Sequence, residues 1–283
     1  MNLVLVAAGA LILTNFSAGK AFAQGTTLDP ALAFALSSSD TINLALLSTI
    51  NGSIGAVKNL TVGARSRVTT DADALGKLKL GGSASVSGAC ASLTQPKVPR
   101  SASCGTTQVG PDTPAIMPLQ TLSISGVSYC PATGASNSAL NLKRNQAVSI
   151  AVGSPVNSLP TVLDYPSIKL ASGATLTIGG PSDGLAVINV SGILKLGVNA
   201  TITTDGVLPV SNILIIADRV QMGRRASISA SVFTAGTCRL GVNSVINGQM
   251  YCKSRVTMSK NAQVNETPLT PLVAMGVSCP ATL

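Results

Sequence analysis

One ordered pattern recurs along this chain: apolar, any, apolar, small, two spacers, Ala or Ser, polar, apolar, polar. It starts at Leu60 and, 18 residues on, at Leu78; it returns at Ile168, Leu194 and Val220 in steps of 26, then at Cys238 and Val256 in steps of 18. Strand-like alternation on a period near 20 residues is the signature of a solenoid, in which each turn buries its apolar side only against the next turn. Two residues after each start stand Val62, Leu80, Leu170, Leu196, Met222, Leu240 and Met258, and eight after stand Val68, Val86, Leu176, Ile202, Ile228, Ile246 and Val264. Both columns are wholly apolar, so they line an interior while their neighbours point outward. Six after each start only Ala or Ser is used, from Ser66 and Ala84 to Ser244 and Ala262.

A second inward pair lies upstream of each later start, with Ile188, Leu214, Val232 and Met250 six before and Val190, Ile216, Thr234 and Cys252 four before. Each turn therefore supplies three short strands. The 26-residue steps are the same turn with extra residues looped out at 179–184 and 205–211, where a solenoid tolerates insertions. The fold class is all-β: a parallel β-helix of about 18-residue turns, forming one domain over 59–267.

A core of stacked aliphatic columns needs no aromatic anchors, and the composition agrees: aromatic residues make up 2%, and Trp and His are absent. Without His there is no Ser-His-Asp or Cys-His catalysis and no His-ligated metal. The net charge of +9 comes from only 19 Lys and Arg spread along the chain. Without a dense basic patch, and with so few aromatic residues to stack on bases, nucleic acid is not an expected partner. No cofactor or metal is implied.

Residues 1–23 carry an apolar run from Leu3 to Leu13 and end in Ala21-Phe22-Ala23, a small-x-small cleavage site. They read as a secretory signal, leaving a secreted or cell-surface protein with no transmembrane span in the mature chain. Within the segment 24–58, residues 28–50 space Leu, Ala and Phe three and four apart behind Pro30, which predicts a helix. Asn189, Ile215, Phe233 and Tyr251, five before their starts, form an apolar outward strip along which that helix could pack. From Ala91 to about Leu142 the pattern lapses into a Pro/Ser/Thr-rich excursion that follows directly on Cys90 and holds Cys104 and Cys130; 143–166 reads as a variable turn and 268–283 as a tail or cap.

Six cysteines in an exported chain favour disulfides. The 90/104 and 238/252 pairs share a separation of 14, which leaves Cys130 for Cys279. Of nine Asp and one Glu, only Asp71 and Asp73 lie close in sequence, while Asp71 and Asp205 end the matching runs VTTD and ITTD. Such residues close turns at strand ends, although a glycan-cleaving β-helix enzyme would also need carboxylates of this kind.

Two outward columns are candidate binding surfaces. One is a Thr/Ser face, Thr175 and Thr177 above Thr201 and Thr203, continuing to Ser227 and Ser229 and back to Ser85 and Ser87, then giving way to Val245, Asn247, Gln263 and Asn265. Paired threonine rows resemble the flat faces of solenoid ice-binding proteins. The other is Lys79, Lys169, Lys195, Gln221 and Arg239, a cationic row suited to an acidic glycan or other surface polymer.

Over 168–266, the runs ILKLGVNATI, SNILIIA, INGQMYCKS and VTMSKNAQV resemble the β-helix domains of secreted bacterial surface proteins, which are often adhesin-like or anchor-bearing. That resemblance implies export and a non-enzymatic structural or adhesive role, with self-association a further expectation. It carries no catalytic residues. The ice- or crystal-binding reading of the Thr/Ser face is the alternative.

Overall fold

The computed structural model describes residues 34–110, 137–155 and 160–269, together with the pairs 123–124 and 127–128. Its strands form a 25-stranded, parallel-paired β-solenoid and one small antiparallel hairpin, Ser123–Ile124 with Val127–Ser128. Each turn contributes one strand to each of three faces. In the turn 231–247 these are Ser231–Thr234 on the first face, Cys238–Leu240 on the second and Val245–Asn247 on the third.

The inward columns are dry. Leu194, Cys238, Ile202, Ile228, Ile246 and Val264 are all fully buried. The corner between second and third faces repeats one turn geometry. Its closing bonds run from the Ala200, Ala226 and Ser244 N–H groups to the Gly197, Gly223 and Gly241 carbonyls. Space dictates the small residue that opens this corner: a Cβ on Gly241 would lie 2.4 Å from the Gly223 carbonyl oxygen of the adjacent turn. The residue before the buried Ala or Ser takes positive φ at Asn199, Arg225, Asn243, Asn261, Leu47, Arg65 and Ser83, and Asn145 does so at the equivalent corner. Asn tolerates that conformation better than Leu or Arg.

The turns do not stack in chain order. The strand Leu36–Ser38 pairs with Ile54–Ala56 on one side and with Met250–Cys252 on the other. Thr41–Leu44 and Thr49–Asn51 are likewise sandwiched between the second turn and the last. The chain thus enters the middle of the stack, climbs to one end by Val109, resumes at the opposite end with Leu140–Leu142 and Ala147–Ala151, and winds back to dock its last turn on its first. Side chains reinforce this seam: the Tyr251 and Ser39 hydroxyls are 2.6 Å apart, Ser48 Oγ donates to the Ser259 carbonyl at 3.3 Å, and Ser38 Oγ to that of Ser254.

Three sequence expectations are corrected. Residues 36–50 of the helix expected over 28–50 are built from strands and their turns, and 28–33 lie outside the described residues. The segment satisfies the repeat itself, with Ile42, Leu44, Ser48 and Ile50 all buried at the template positions, so the solenoid begins before 59. The excursion is shorter than 91–142, because Ser103–Val109 still pairs in parallel with Ser85–Ser92. In the strand Ile213–Met222 the inward residues are Ile213, Ile215 and Ala217, not Leu214 and Ile216. Ile215 pairs with Ile188 and Val232, while Ile216 pairs with Asn189 and Phe233. The corner from Ala217 to Val220 is one residue shorter than that from Val190 to Leu194, and with side chains alternating, one residue flips the parity of everything upstream.

The outward residues of the first face, Asn189, Ile216, Phe233, Tyr251, Ser37, Asp73 and Ala91, are buried, with the Phe233 and Tyr251 rings edge to face. Phe34 lies on this face over Gly55.

Cys90 is bonded to Cys104 and Cys238 to Cys252, with Cα separations of 5.9 and 6.3 Å; Cys130 and Cys279 lie outside the described residues. The second disulfide joins adjacent turns inside the core. Non-reducing peptide mapping of the native protein is expected to yield a peptide linking Cys238 to Cys252; alkylation of both without prior reduction would contradict that bond.

Candidate ice-contact face

The third face turns two residues of each strand outward. Its first column runs, in register, Ala147, Thr175, Thr201, Ser227, Val245, Gln263, Thr49, Arg67 and Ser85. Two residues along each strand lies a second column, with Ser149 paired to Thr177, Thr177 to Thr203, Ser229 to Asn247, Asn247 to Asn265, and Asn265 to Asn51. From Ala147 and Ser149 to Thr49 and Asn51 neither column contains a charge. Arg67, exposed, ends the uncharged strip.

The six expected residues Thr175, Thr177, Thr201, Thr203, Ser227 and Ser229 are brought together on successive turns, each half-buried. Parallel pairing spaces successive rungs by about 4.8 Å and the two columns by about 7 Å, which makes a regular grid of hydroxyls and methyls. Each Thr is β-branched and therefore stiff about χ1. Ser227 Oγ donates to Thr201 Oγ1 at 3.2 Å. Beyond Ser229 the hydroxyls pass into amides: Asn51 Nδ2 donates to Asn265 Oδ1 at 2.6 Å, and Asn265 Nδ2 to Asn247 Oδ1 at 2.8 Å. Ser85 and Ser87 do not adjoin Ser227 and Ser229, because the turns of Val245, Gln263, Thr49 and Arg67 intervene. The residues that sequence reading missed are Thr49 and Asn51, whose signal was the match of Ile42 to Ile50 with the repeat.

The second face carries the cations. Lys169 pairs with Lys195, Lys195 with Gln221 and Gln221 with Arg239. Lys79 is not part of that run. Arg239 is followed by Thr257, Asn43 and Thr61 before Lys79 is reached. The row is therefore two separate cationic stretches.

Of the carboxylates considered for catalysis, Asp71 and Asp205 hold backbone N–H groups. Asp205 accepts N–H bonds from Gly180, Val207 and Leu208, and the bonds from Leu208, Val207 and Gly180 hold its carboxyl below the usual range. Asp71 accepts from the Ala89 N–H at 2.7 Å. Stacking places Asp71 and Asp205 five turns, or about 24 Å, apart. Asp73 is buried on the first face with one carboxylate oxygen unpartnered; desolvation, with the Asp71 charge adding to it, pushes its pKa up to about 7. Among the described residues no group of His, Cys, Asp or Glu could hold a metal.

No family model and no curated protein matches the sequence. Among solved structures the chain is similar to an ice-binding protein from an Antarctic biological consortium, with a TM-score of 0.52 at 16% identity over 88% of this chain and 95% of that one. It is also similar to a glycosylated ice-binding protein from an Arctic yeast, with a TM-score of 0.50 at 17% identity over 87% and 96%. The fold is shared with these ice-binding proteins. At such identities the likeness establishes the β-solenoid fold and not the adhesin-like kinship expected from the sequence. Among the described residues no helix is long and apolar enough to cross a membrane.

Proposed function

We propose that this chain is a non-enzymatic, exported protein that binds ice through the Thr/Ser/Asn strip of its third face. The observation that carries the reading is the uncharged strip itself, which spans seven turns of a chain whose net charge is +9. Two solved structures of the same fold are ice-binding proteins. Charged side chains orient water around themselves; rows of hydroxyls and methyls on a rigid sheet can instead hold water at positions repeated by the backbone, and bridging waters bind nearly as well as direct contacts. The face is preorganised, so docking costs little side-chain ordering. Each contact is weak, but all engage one crystal plane together, and linked weak contacts multiply. A signal-like segment at 1–23 fits action outside the cell.

This reading replaces the adhesive, glycan-binding one, since the cationic row is broken and confined to another face. The test is thermal hysteresis of the mature chain. Thr201→Arg with Thr203→Arg is expected to abolish hysteresis with the melting temperature retained, because two long cations would stand between crystal and sheet. The Lys169→Glu, Lys195→Glu, Arg239→Glu triple variant is expected to leave hysteresis unchanged. A wild-type protein without hysteresis that binds acidic glycans, and loses that binding in the triple variant, would reverse the assignment.

A further inference from the structure

The seam between first and last turns passes directly under the third face, and the pairings there are as regular as elsewhere: Gln263 with Thr49, Val264 with Ile50, Asn265 with Asn51. Across it on this face runs a row of three amides in line, Asn247, Asn265 and Asn51. A side-chain amide has two N–H donors and an oxygen with two lone pairs. Asn265 uses one donor on Asn247 Oδ1 and one lone pair on the Asn51 amide, so one donor and one acceptor remain. Asn265 is half-buried and Asn51 exposed, so the row lies at the surface. Bonds on both sides hold the Asn265 amide in one plane, as free surface asparagines are not.

Resting on the ice-binding reading, we infer that the ice-contact strip continues past Ser229 and across the seam, with Asn247, Asn265 and Asn51 as contact residues and Asn265 also positioning its two neighbours. The Thr/Ser rows present hydroxyls; in the amide row Asn265 and Asn247, whose Nδ2 donates to Ser229 Oγ, each keep one donor and one acceptor, and Asn51 at its end keeps one donor and both lone pairs, at the same rung spacing. The contact face is then built jointly by residues from the two ends of the described chain, and its length is set at one end by Arg67.

The test measures thermal hysteresis and melting temperature on the same samples of the full chain. Asn265→Leu, which keeps the size and removes both bonds, is expected to lower hysteresis severalfold with the melting temperature nearly unchanged. Asn265→Thr, which restores a hydroxyl to the row, is expected to recover most of it. Thr257→Leu, on the cationic face, is expected to leave hysteresis unchanged. Should Asn265→Leu fail to fold, Asn51→Leu at the exposed end of the row takes its place with the same expectation. If a folded Asn265→Leu or Asn51→Leu variant keeps full hysteresis while the Thr201/Thr203 double variant loses it, the extension across the seam is wrong and the ice-binding reading stands. If the Thr201/Thr203 variant also keeps it, that reading falls with the inference.

Discussion

Ile202→Asp is expected to abolish the cooperative unfolding transition at 25 °C, whereas Thr201→Asp, one residue away, is expected to leave it nearly in place. Ile202 is fully buried in a column whose neighbours are Leu176 and Ile228. A carboxylate there has no partner and no water, a cost of several kcal/mol, comparable to the whole stability of many domains. Thr201 faces outward, and a charge in its place stays solvated. Circular dichroism melts of the two variants check the in/out register: equal losses would mean that the faces are assigned the wrong way round.

Asp73→Asn is expected to stabilise the protein at pH 8 and to do little at pH 4. The folded-state pKa of about 7 lies above the ordinary 3.8, so between those values the folded protein holds a proton that the unfolded chain has released. Stability contributed by this group is therefore complete below about pH 3.8, declines as pH rises and is gone above about 7. The difference between the two values corresponds to at most about 4 kcal/mol. Asparagine cannot ionise, so the variant lacks this loss. Asp205, whose carboxyl is held low by backbone N–H groups, acts in the opposite sense and only on the acid side, where its bonds are lost as it protonates. Denaturant midpoints for wild type and variant at both pH values decide the point; a difference independent of pH would show that Asp73 is not the titrating group.

What was legible in the sequence is what a repeat writes locally. The apolar columns at Leu170, Leu196 and Met222, the buried Ala or Ser at each corner, and the looped-out residues after Gly179 and Asp205 all follow from alternation and spacing within single turns. Three features were hidden, each for its own reason. The run from Leu36 to Leu47 satisfies helical and strand periods at once, and only the pairing of 36–51 with two other turns decides between them. The reversed facing of Leu214 and Ile216 depends on one residue missing from a corner, which counting back from Val220 cannot detect. The order of stacking is absent from local pattern altogether, so the sequence groups Lys79 with Lys169 and ends the Thr/Ser face at Val245. In the structure that face continues through Asn265 and Asn51.

The meeting of first and last turns sets how this protein must acquire its shape. Leu36 pairs with Met250, more than two hundred residues away, so a solenoid that could otherwise zip up neighbour by neighbour contains one closure of very high contact order. Such closures slow folding, because loop entropy is lost before the contact is gained. During synthesis the turns from Leu36 to Val109 emerge first and hold the bare parallel edge of their first turn open until residues beyond 250 arrive. An open edge of this kind accepts any matching strand, including the last turn of another copy. Concentrated refolding is therefore the condition under which exchanged dimers, each seam closed by its partner's last turn, compete with the monomer.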